Sequence, residues 1–152
     1  MNEVEIARYV GATFAGVDVV TVEACDSFFF YNPDDRVPPD HRFPIITLVT
    51  GDRYDQFSDL DRPGVFRLNI GIGKETFRAR FGKPQLPGSE EGEDDSGAAS
   101  AFDFTALDQV MPHPIYGRMY WVCVLNPSDA TFVREVQPLL AEAYALAVAK
   151  HK

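Results

Sequence analysis

The side chains best suited to bind a ligand fall in two segments of the chain and share polar, hydrogen-bonding heads. They are Arg62, Arg67 and Asn69 in the first segment, and His113, Tyr116, Arg118 and Tyr120 in the second. Arg67 and Asn69 alternate with apolar residues, so both side chains project from one face of a predicted strand. If that strand neighbours the strand after Tyr120, the set lines a groove for a small anionic or polar ligand. The alternative is a solvated sheet face whose polar residues pair across strands.

Few residues have the spacing that catalysis requires. The sequence contains neither an HExxH nor a GxSxG motif. A small enzyme that uses His113 with Asp61 or Cys123 is the rival hypothesis. Cys123 shares strand parity with Trp121 and Leu125, which favours a place in the core beneath the C-terminal helix. We therefore expect no catalytic residue.

The glycine-containing run from Gly71 to Thr76 invites a comparison with a phosphate-binding loop. A P-loop requires glycine five positions before Gly73 and serine or threonine after Lys74. The chain has Leu68 and Glu75 at these positions. The run therefore predicts an ordinary turn from a strand into a helix, and we expect no cofactor.

Histidine and cysteine, the side chains that bind softer metal ions such as zinc, are few and far apart in the sequence. The chain has three histidines and two cysteines, and none of them falls in a zinc-binding spacing. We expect no metal site from this set, which consists of His41, His113, His151, Cys25 and Cys123.

Length and charge limit the class of protein. The 152 residues predict one domain, and the net charge is −9 at pH 7. Residues 83–101 are rich in proline, glycine, serine and acids, which predicts a mobile acidic surface loop. Without the five acids of residues 89–96 the net charge is still about −4. Because phosphate contact needs clustered lysine and arginine, nucleic-acid binding is disfavoured.

No apolar run approaches the roughly 20 residues that span a bilayer. The N-terminal residues lack the basic and apolar regions of a secretory signal. The two cysteines lie far apart and outside any redox spacing, which favours a reducing compartment. These features predict a cytoplasmic protein that does not contact membranes.

The predicted elements alternate between strands and helices. Asn2 and Glu5 have the spacing of a capping box for a first helix that ends near Gly11. The second predicted strand is apolar on both faces, which favours a central position in the sheet. Short helices follow at 74–81 and from Asp103 to Val110, and a last helix begins between Phe132 and Pro138. Predicted strands cover residues 17–22, 27–31, 45–50, 65–72 and 120–125.

Several of these segments resemble an uncharacterised family of actinobacterial type that carries only a domain-of-unknown-function label. The matching runs are Phe66 to Ile70, Glu75 to Arg78, His113 to Tyr116, Trp121 to Leu125 and Glu142 to Lys150.

More remotely, the half from Val65 onward resembles the YjbR/MmcQ-like fold, with Trp121, Tyr144 and the Val148-Ala149-Lys150 ending at its characteristic positions. This resemblance implies an α+β domain with a mostly antiparallel sheet of about five strands, flanked by helices and closed by a long C-terminal helix. The chain departs from that family before Trp121, where its only basic residue is Arg118. Nucleic-acid binding, which has been suggested for that family, is therefore not carried over.

Together these features predict a small non-catalytic binding or interaction module with a polar groove. Its partner is expected to be a small polar or anionic ligand or another protein. The enzyme that uses His113 and the nucleic-acid-binding domain remain as alternatives.

Overall fold

Six strands form one antiparallel sheet in the order β1-β2-β3-β4-β6-β5. The structure is a computed structural model, and it describes residues 2–22, 26–33, 43–51, 56–82 and 102–150. The predicted α+β fold and its antiparallel sheet are confirmed. The sheet of these described residues has one strand more than expected, because the two residues before His113 pair with the last strand. The strands are β1 Val17–Val22, β2 Asp26–Tyr31, β3 Ile46–Val49, β4 Arg67–Gly71, β5 Met111–Pro112 and β6 Trp121–Leu125.

Helices flank the sheet at the start, the middle and the end of the chain. Helix α1 spans Glu3–Thr13 and helix α2 spans Lys74–Phe81. The long C-terminal helix, α3, covers residues 129–150 in three consecutive parts. They are the α-helical turn Asp129–Thr131, the π-helical segment Phe132–Val136 and the α-helix Gln137–Lys150. None of the helices in the described part of the chain has the length and apolar character to cross a membrane.

The register of the strands separates two faces of the sheet. The first, which we call the helix face, carries the main core together with buried residues of α1 and α3. Burial of such side chains contributes about 1.5–3 kcal/mol each to folding. Its members include Phe29, Ile46, Leu68, Ile70, Val122 and Val124 from the sheet, and Ile6, Val10, Leu139, Leu140 and Ala143 from the helices.

The opposite side, which we call the second face, holds a smaller apolar cluster. Cys123 and Leu125 pack there with Val49, Leu60 and Met111. Cys123 is buried as predicted, but its expected position beneath α3 is wrong. It pairs with Asn69 in the sheet, and paired residues point to the same face, so it lies opposite the helices.

Local side-chain contacts explain where two helices begin. Asn2 and Glu5 form the predicted capping box of α1, although Gly11 lies inside this helix and does not end it. Helix α3 starts earlier than predicted, because the Ser128 hydroxyl caps the N–H of Thr131. The π-helical segment ends two residues before Pro138 and includes Arg134, whose carbonyl the proline ring would meet in a regular α-helix, so it accommodates this proline.

The predicted helix from Asp103 to Val110 is wrong, since residues 102–110 form turns. The Asp103 carboxylate accepts hydrogen bonds from the backbone N–H and the hydroxyl of Thr105. Such local bonding offers the backbone an alternative to a helix. The second strand is an interior strand as predicted, since it pairs with β1 and β3, but it lies one position from the edge of the sheet. The predicted loops at 36–42 and 83–101, together with Cys25, His41 and His151, lie outside the described residues.

Helix α3 also fixes the elements around it. Glu142 accepts hydrogen bonds from the backbone N–H of Gly73 at 2.7 Å and from the hydroxyl of Thr76 at 2.6 Å. It therefore caps the N-terminus of α2 from another helix. The Tyr144 hydroxyl donates to the carbonyl of Ala15 at 2.6 Å, which ties α3 to the segment after α1.

Strand β6 is bounded by two residues with left-handed backbone. Tyr120 precedes it with φ of 66°, and Asn126 follows it with φ of 42°. The Asn126 side chain accepts from the N–H of Phe66 and donates to the carbonyl of Gly64, both at 2.9 Å. These bonds join the end of β6 to the start of β4 and define how the two strands align.

The carboxylate of Asp108 supports the start of α3. The Ser128 backbone N–H, which donates to Asp108 at 2.7 Å, holds the pKa of that carboxyl below its ordinary value. A lowered pKa contributes stability above the unfolded-state value of about 4, and this contribution is lost as the pH falls through the folded-state value.

We therefore expect an Asp108→Asn variant to be less sensitive to acid than the wild type. Asparagine keeps the shape and tolerates the left-handed backbone of this position, where φ is 60°. The difference is below about 1 kcal/mol, because the group is exposed to solvent. Urea unfolding at neutral pH and at about pH 3 measures it. Equal loss of stability in both proteins would contradict the assigned role of the carboxylate.

Candidate functional site

A buried polar cluster lies on the second face of the sheet. Arg67 is 2% exposed, Asn69 3% and His113 4%, and Thr47 and Ser58 are buried beside them. The alternation along β4 directs Leu68 and Ile70 to the helix face and Arg67 and Asn69 to the second face. The solvated sheet face considered from the sequence is therefore wrong for these residues, because the loops on this side cover them.

Arg67 is the centre of the cluster. Its Nε donates to Asn69 Oδ1 at 2.9 Å, and its Nη1 donates to the hydroxyl of Ser58 at 3.0 Å. Asn69 in turn donates from Nδ2 to the hydroxyl of Thr47 at 2.9 Å. Since the three strands β3, β4 and β6 are hydrogen-bonded neighbours, this network is held by the rigid centre of the sheet.

His113 is oriented by the turn that follows it. Its Nδ1 accepts hydrogen bonds from the backbone N–H of Ile115 at 3.1 Å and of Tyr116 at 3.0 Å. A nitrogen that accepts carries no hydrogen, so the ring carries its hydrogen on Nε2. That Nε2 lies 3.5 Å from Nη2 of Arg67. Arginine only donates, and the two groups thus present N–H donors to the same region.

The polar cluster forms the floor of a cavity of about 600 Å³, which we call the polar cavity. Its polar lining comes from Thr47, Arg67, Asn69, His113 and Tyr116, and Lys150 lies at its wall. None of the described residues of this lining is acidic, although the whole chain has a net charge of −9. Its apolar lining consists of Phe28, Phe43, Pro44, Val49, Ile115, Met119 and Trp121.

Four of the seven residues singled out from the sequence line this cavity, namely Arg67, Asn69, His113 and Tyr116. Arg62 does not face the cavity. Its guanidinium donates hydrogen bonds to the backbone carbonyls of Ser58, Asp59 and Thr105. It joins two loops and does not line the cavity.

The other two residues lie elsewhere. Arg118 is exposed in the 3-10 turn Tyr116–Met119. The ring of Tyr120 packs against the main core, with its centroid 5.7 Å from that of Phe77. The left-handed backbone of Tyr120 directs its side chain away from the second face.

Thr47, Ser58 and Trp121 are members of the site that the sequence pattern does not indicate. Thr47 lies in the third predicted strand, and its pairing with Asn69 becomes apparent only from the register of β3 and β4. Ser58 comes from a loop and bonds to a residue nine positions away. Single hydroxyl residues have no characteristic spacing, so only the tertiary structure identifies them.

The partners of His113 in the rival enzyme hypothesis do not line the polar cavity. Asp61 is exposed, and its Oδ1 lies near Gly51. Cys123 belongs to the small apolar cluster, and its Sγ lies 3.7 Å from the carbonyl oxygen of Pro112. Among the described residues, no group of three histidine, cysteine or acidic side chains is placed to hold a metal ion.

Comparison with known proteins gives one family. The model of a family described as "Family of unknown function (DUF6194)" matches residues 1–152. No curated protein and no solved structure matches the chain.

Proposed function

The chain belongs to the family of unknown function DUF6194, and from the chemistry of its own site we propose that it binds a small anionic ligand without transforming it. One observation carries the proposal. The buried guanidinium of Arg67 and the Nε2–H of His113 lie 3.5 Å apart in the lining of one cavity. A guanidinium and an imidazole N–H in the lining of one cavity can both donate to an anion that enters it, and charge-assisted hydrogen bonds from arginine to an anion are stronger than neutral ones.

The charges of the lining favour an anion over a cation. Among the described residues of the lining, the charged ones are Arg67 and Lys150, and both side chains are basic. Interactions between charges are stronger in a partly buried site than in water, because the effective dielectric constant is lower. A carboxylate placed beside Arg67 is therefore attracted to the guanidinium, whereas a cation of the same shape is repelled by it.

The remaining lining suits a ligand with an apolar part. A volume of about 600 Å³ falls in the range of small-molecule sites, which combine apolar walls with a few polar groups. Phe28 and Trp121 supply aromatic walls above the polar floor. This division of the lining supports a binding role, since it fixes the orientation of a ligand.

Three finer assignments are proposed with it. The YjbR/MmcQ-like relationship is supported by the Trp121 strand and by the C-terminal helix that carries Tyr144 and ends in Val148-Ala149-Lys150. The actinobacterial origin is supported by the resemblance of runs such as His113 to Tyr116 and Glu142 to Lys150. A cytoplasmic location is supported by the cysteine content, which is two residues without redox spacing.

An Asn69→Asp substitution tests the proposal by charge alone. Aspartate keeps an acceptor for Nε of Arg67 and can accept from the hydroxyl of Thr47, so the fold is expected to persist. It also places a negative charge in the cavity floor. We expect wild-type protein to bind benzoate and the variant to bind it at least about tenfold more weakly, a difference of about 1.4 kcal/mol.

Fluorescence of Trp121, the only tryptophan of the chain, reports the binding directly. Benzylammonium serves as the matched cation, since it has the same ring and the opposite charge. Benzylammonium should bind the wild type less tightly than benzoate does. In the variant, its affinity relative to that of benzoate should rise. The proposal is wrong if the wild type does not distinguish the two probes.

A further inference from the structure

A second cavity of about 530 Å³, which we call the apolar cavity, adjoins the polar cavity. Its lining comes from the far end of the sheet and from helix α3, and most of its side chains are apolar, although Tyr31 and Lys150 also line it. The members that belong to it alone include Phe30, Ile45, Ile72, Ala143, Leu146 and Ala147. The candidate site described above does not use any of them.

The two cavities share a common wall. Phe43, Pro44, Met119, Trp121 and Lys150 line both of them. A boundary made by five shared side chains places the cavities side by side, and four of the five are apolar. A ligand in one cavity therefore contacts the residues that line the other.

Trp121 is the central element of this wall. It pairs with Gly71 across β6 and β4, and a side-chain carbon at position 71 would lie 3.0 Å from Cε2 of its indole. The indole therefore lies close against the backbone of β4. The absence of a side chain at Gly71 provides the space for this arrangement, and the exposed edges of the ring contact both cavities.

We propose that the ligand is an amphipathic carboxylate that occupies both cavities at once. This inference rests on the anion binding proposed above. The carboxylate lies at the Arg67 and His113 end, and the hydrocarbon part passes Trp121 into the apolar cavity beside Ala147. Arg67 and Gly71 are on one face of β4, four residues apart, so the ligand extends over about 13 Å of the strand.

The chemistry of the two linings selects this class of molecule. Arg67 and His113 lie at one end and most of the apolar side chains at the other, Lys150 lies on the shared wall, and neither described lining contains an acidic residue. A short anion would leave the apolar cavity unused, and an apolar molecule without an anionic head would place hydrocarbon against Arg67 and His113. A straight-chain fatty acid satisfies both linings.

A homologous series measures this directly. Straight-chain carboxylates from butanoate to dodecanoate are titrated into the protein below their micelle concentrations, with Trp121 fluorescence and calorimetry as readouts. Each added methylene is expected to raise the affinity about fourfold until the apolar cavity is filled, which corresponds to about 0.8 kcal/mol. Alkylammonium ions of equal length should bind more weakly at every length.

A filled-cavity variant separates the inference from the function on which it rests. Ala147→Phe places a ring in the apolar cavity, so the affinity should cease to rise with chain length in this variant but continue to rise in the wild type. Val148→Phe is the matched control, because it adds the same ring to an exposed neighbour on α3, where Val148 is 41% exposed. It should leave the whole series unchanged.

Each failure has a distinct meaning. If butanoate binds but the wild type shows no gain with chain length, or if Ala147→Phe retains that gain, the two-cavity inference is overturned and anion binding stands. If no carboxylate binds at any length, or if alkylammonium ions bind as well as carboxylates, the proposed function itself is overturned.

Discussion

An Arg67→Ala variant is expected to lose about 2–4 kcal/mol of its free energy of unfolding. The side chain is 2% exposed, so its removal leaves a cavity beside the sheet. It also removes the donors on which Asn69 Oδ1 and the Ser58 hydroxyl rely. Urea unfolding followed by Trp121 fluorescence measures the loss.

Arg118→Ala is the matched control for this variant. The same residue type is lost from an exposed position in the 3-10 turn, where surface substitutions change stability by at most about 0.5 kcal/mol. Equal effects of the two substitutions would show that the buried network does not stabilise the sheet.

Two further replacements of Arg67 distinguish its charge from its shape. Arg67→Lys keeps the positive charge but loses the planar fork that reaches Asn69 and Ser58 together, so it should bind benzoate with reduced affinity. Arg67→Met keeps much of the volume and loses the charge, so it should not bind benzoate measurably. Wild-type affinity in Arg67→Met would remove Arg67 from the binding site.

A Leu140→Ala variant is expected to lose about 2–5 kcal/mol of its free energy of unfolding. Leu140 is fully buried where α3 packs on the helix face of the sheet. The loss combines the transfer energy of the removed carbons with the cost of the space left between helix and sheet. Chemical denaturation of both proteins in parallel gives the difference.

Val133→Ala, on the same helix, provides the comparison. Val133 is 62% exposed in the π-helical segment. The substitution therefore removes carbon atoms from a solvated position, and valine is a smaller side chain than leucine. Its effect should stay within about 0.5 kcal/mol. A comparable loss in both variants would mean that α3 is not anchored through the Leu140 side.

The sequence predicted those elements whose boundaries are determined locally. Glycines bracket α2, and its observed range of Lys74–Phe81 agrees with the prediction. The β-branched run Val17–Val22 is a strand as expected, and the capping box of Asn2 and Glu5 is present. Each of these features depends on residues within a few positions of one another, so no tertiary contact was needed to locate them.

Tertiary contacts decided the features that were predicted wrongly. The face on which Cys123 lies depends on its pairing with Asn69, which periodicity within β6 alone does not define. Pro138 indicated a later start for α3, because the π-helical segment that accommodates this proline has no sequence signal. Asp103 was interpreted as a helix cap, but its carboxylate bonds to Thr105 within a turn.

The polar character of the candidate site could be predicted from the sequence better than the residues that form it. The alternation around Arg67 and Asn69 indicated a polar face, and the structure places His113 and Tyr116 beside them in one cavity. Proximity in sequence was a poor guide for Arg118 and Tyr120, because a 3-10 turn and a left-handed residue alter the direction of the chain there. Burial was not anticipated, since it comes from loops that have no periodic pattern.

The bonds that Asn126 makes to Gly64 and Phe66 imply that the site exists only in the intact chain. They link residues about 60 positions apart, and Arg67 meets His113 across a separation of 46. Contacts between distant parts of a chain form slowly, because the entropy of closing a long loop is lost before any contact stabilises it. The polar cluster is therefore expected to form late in folding. A peptide that carries only one of the two strands is expected to lack this cluster, and benzoate binding measured during refolding tests when it forms.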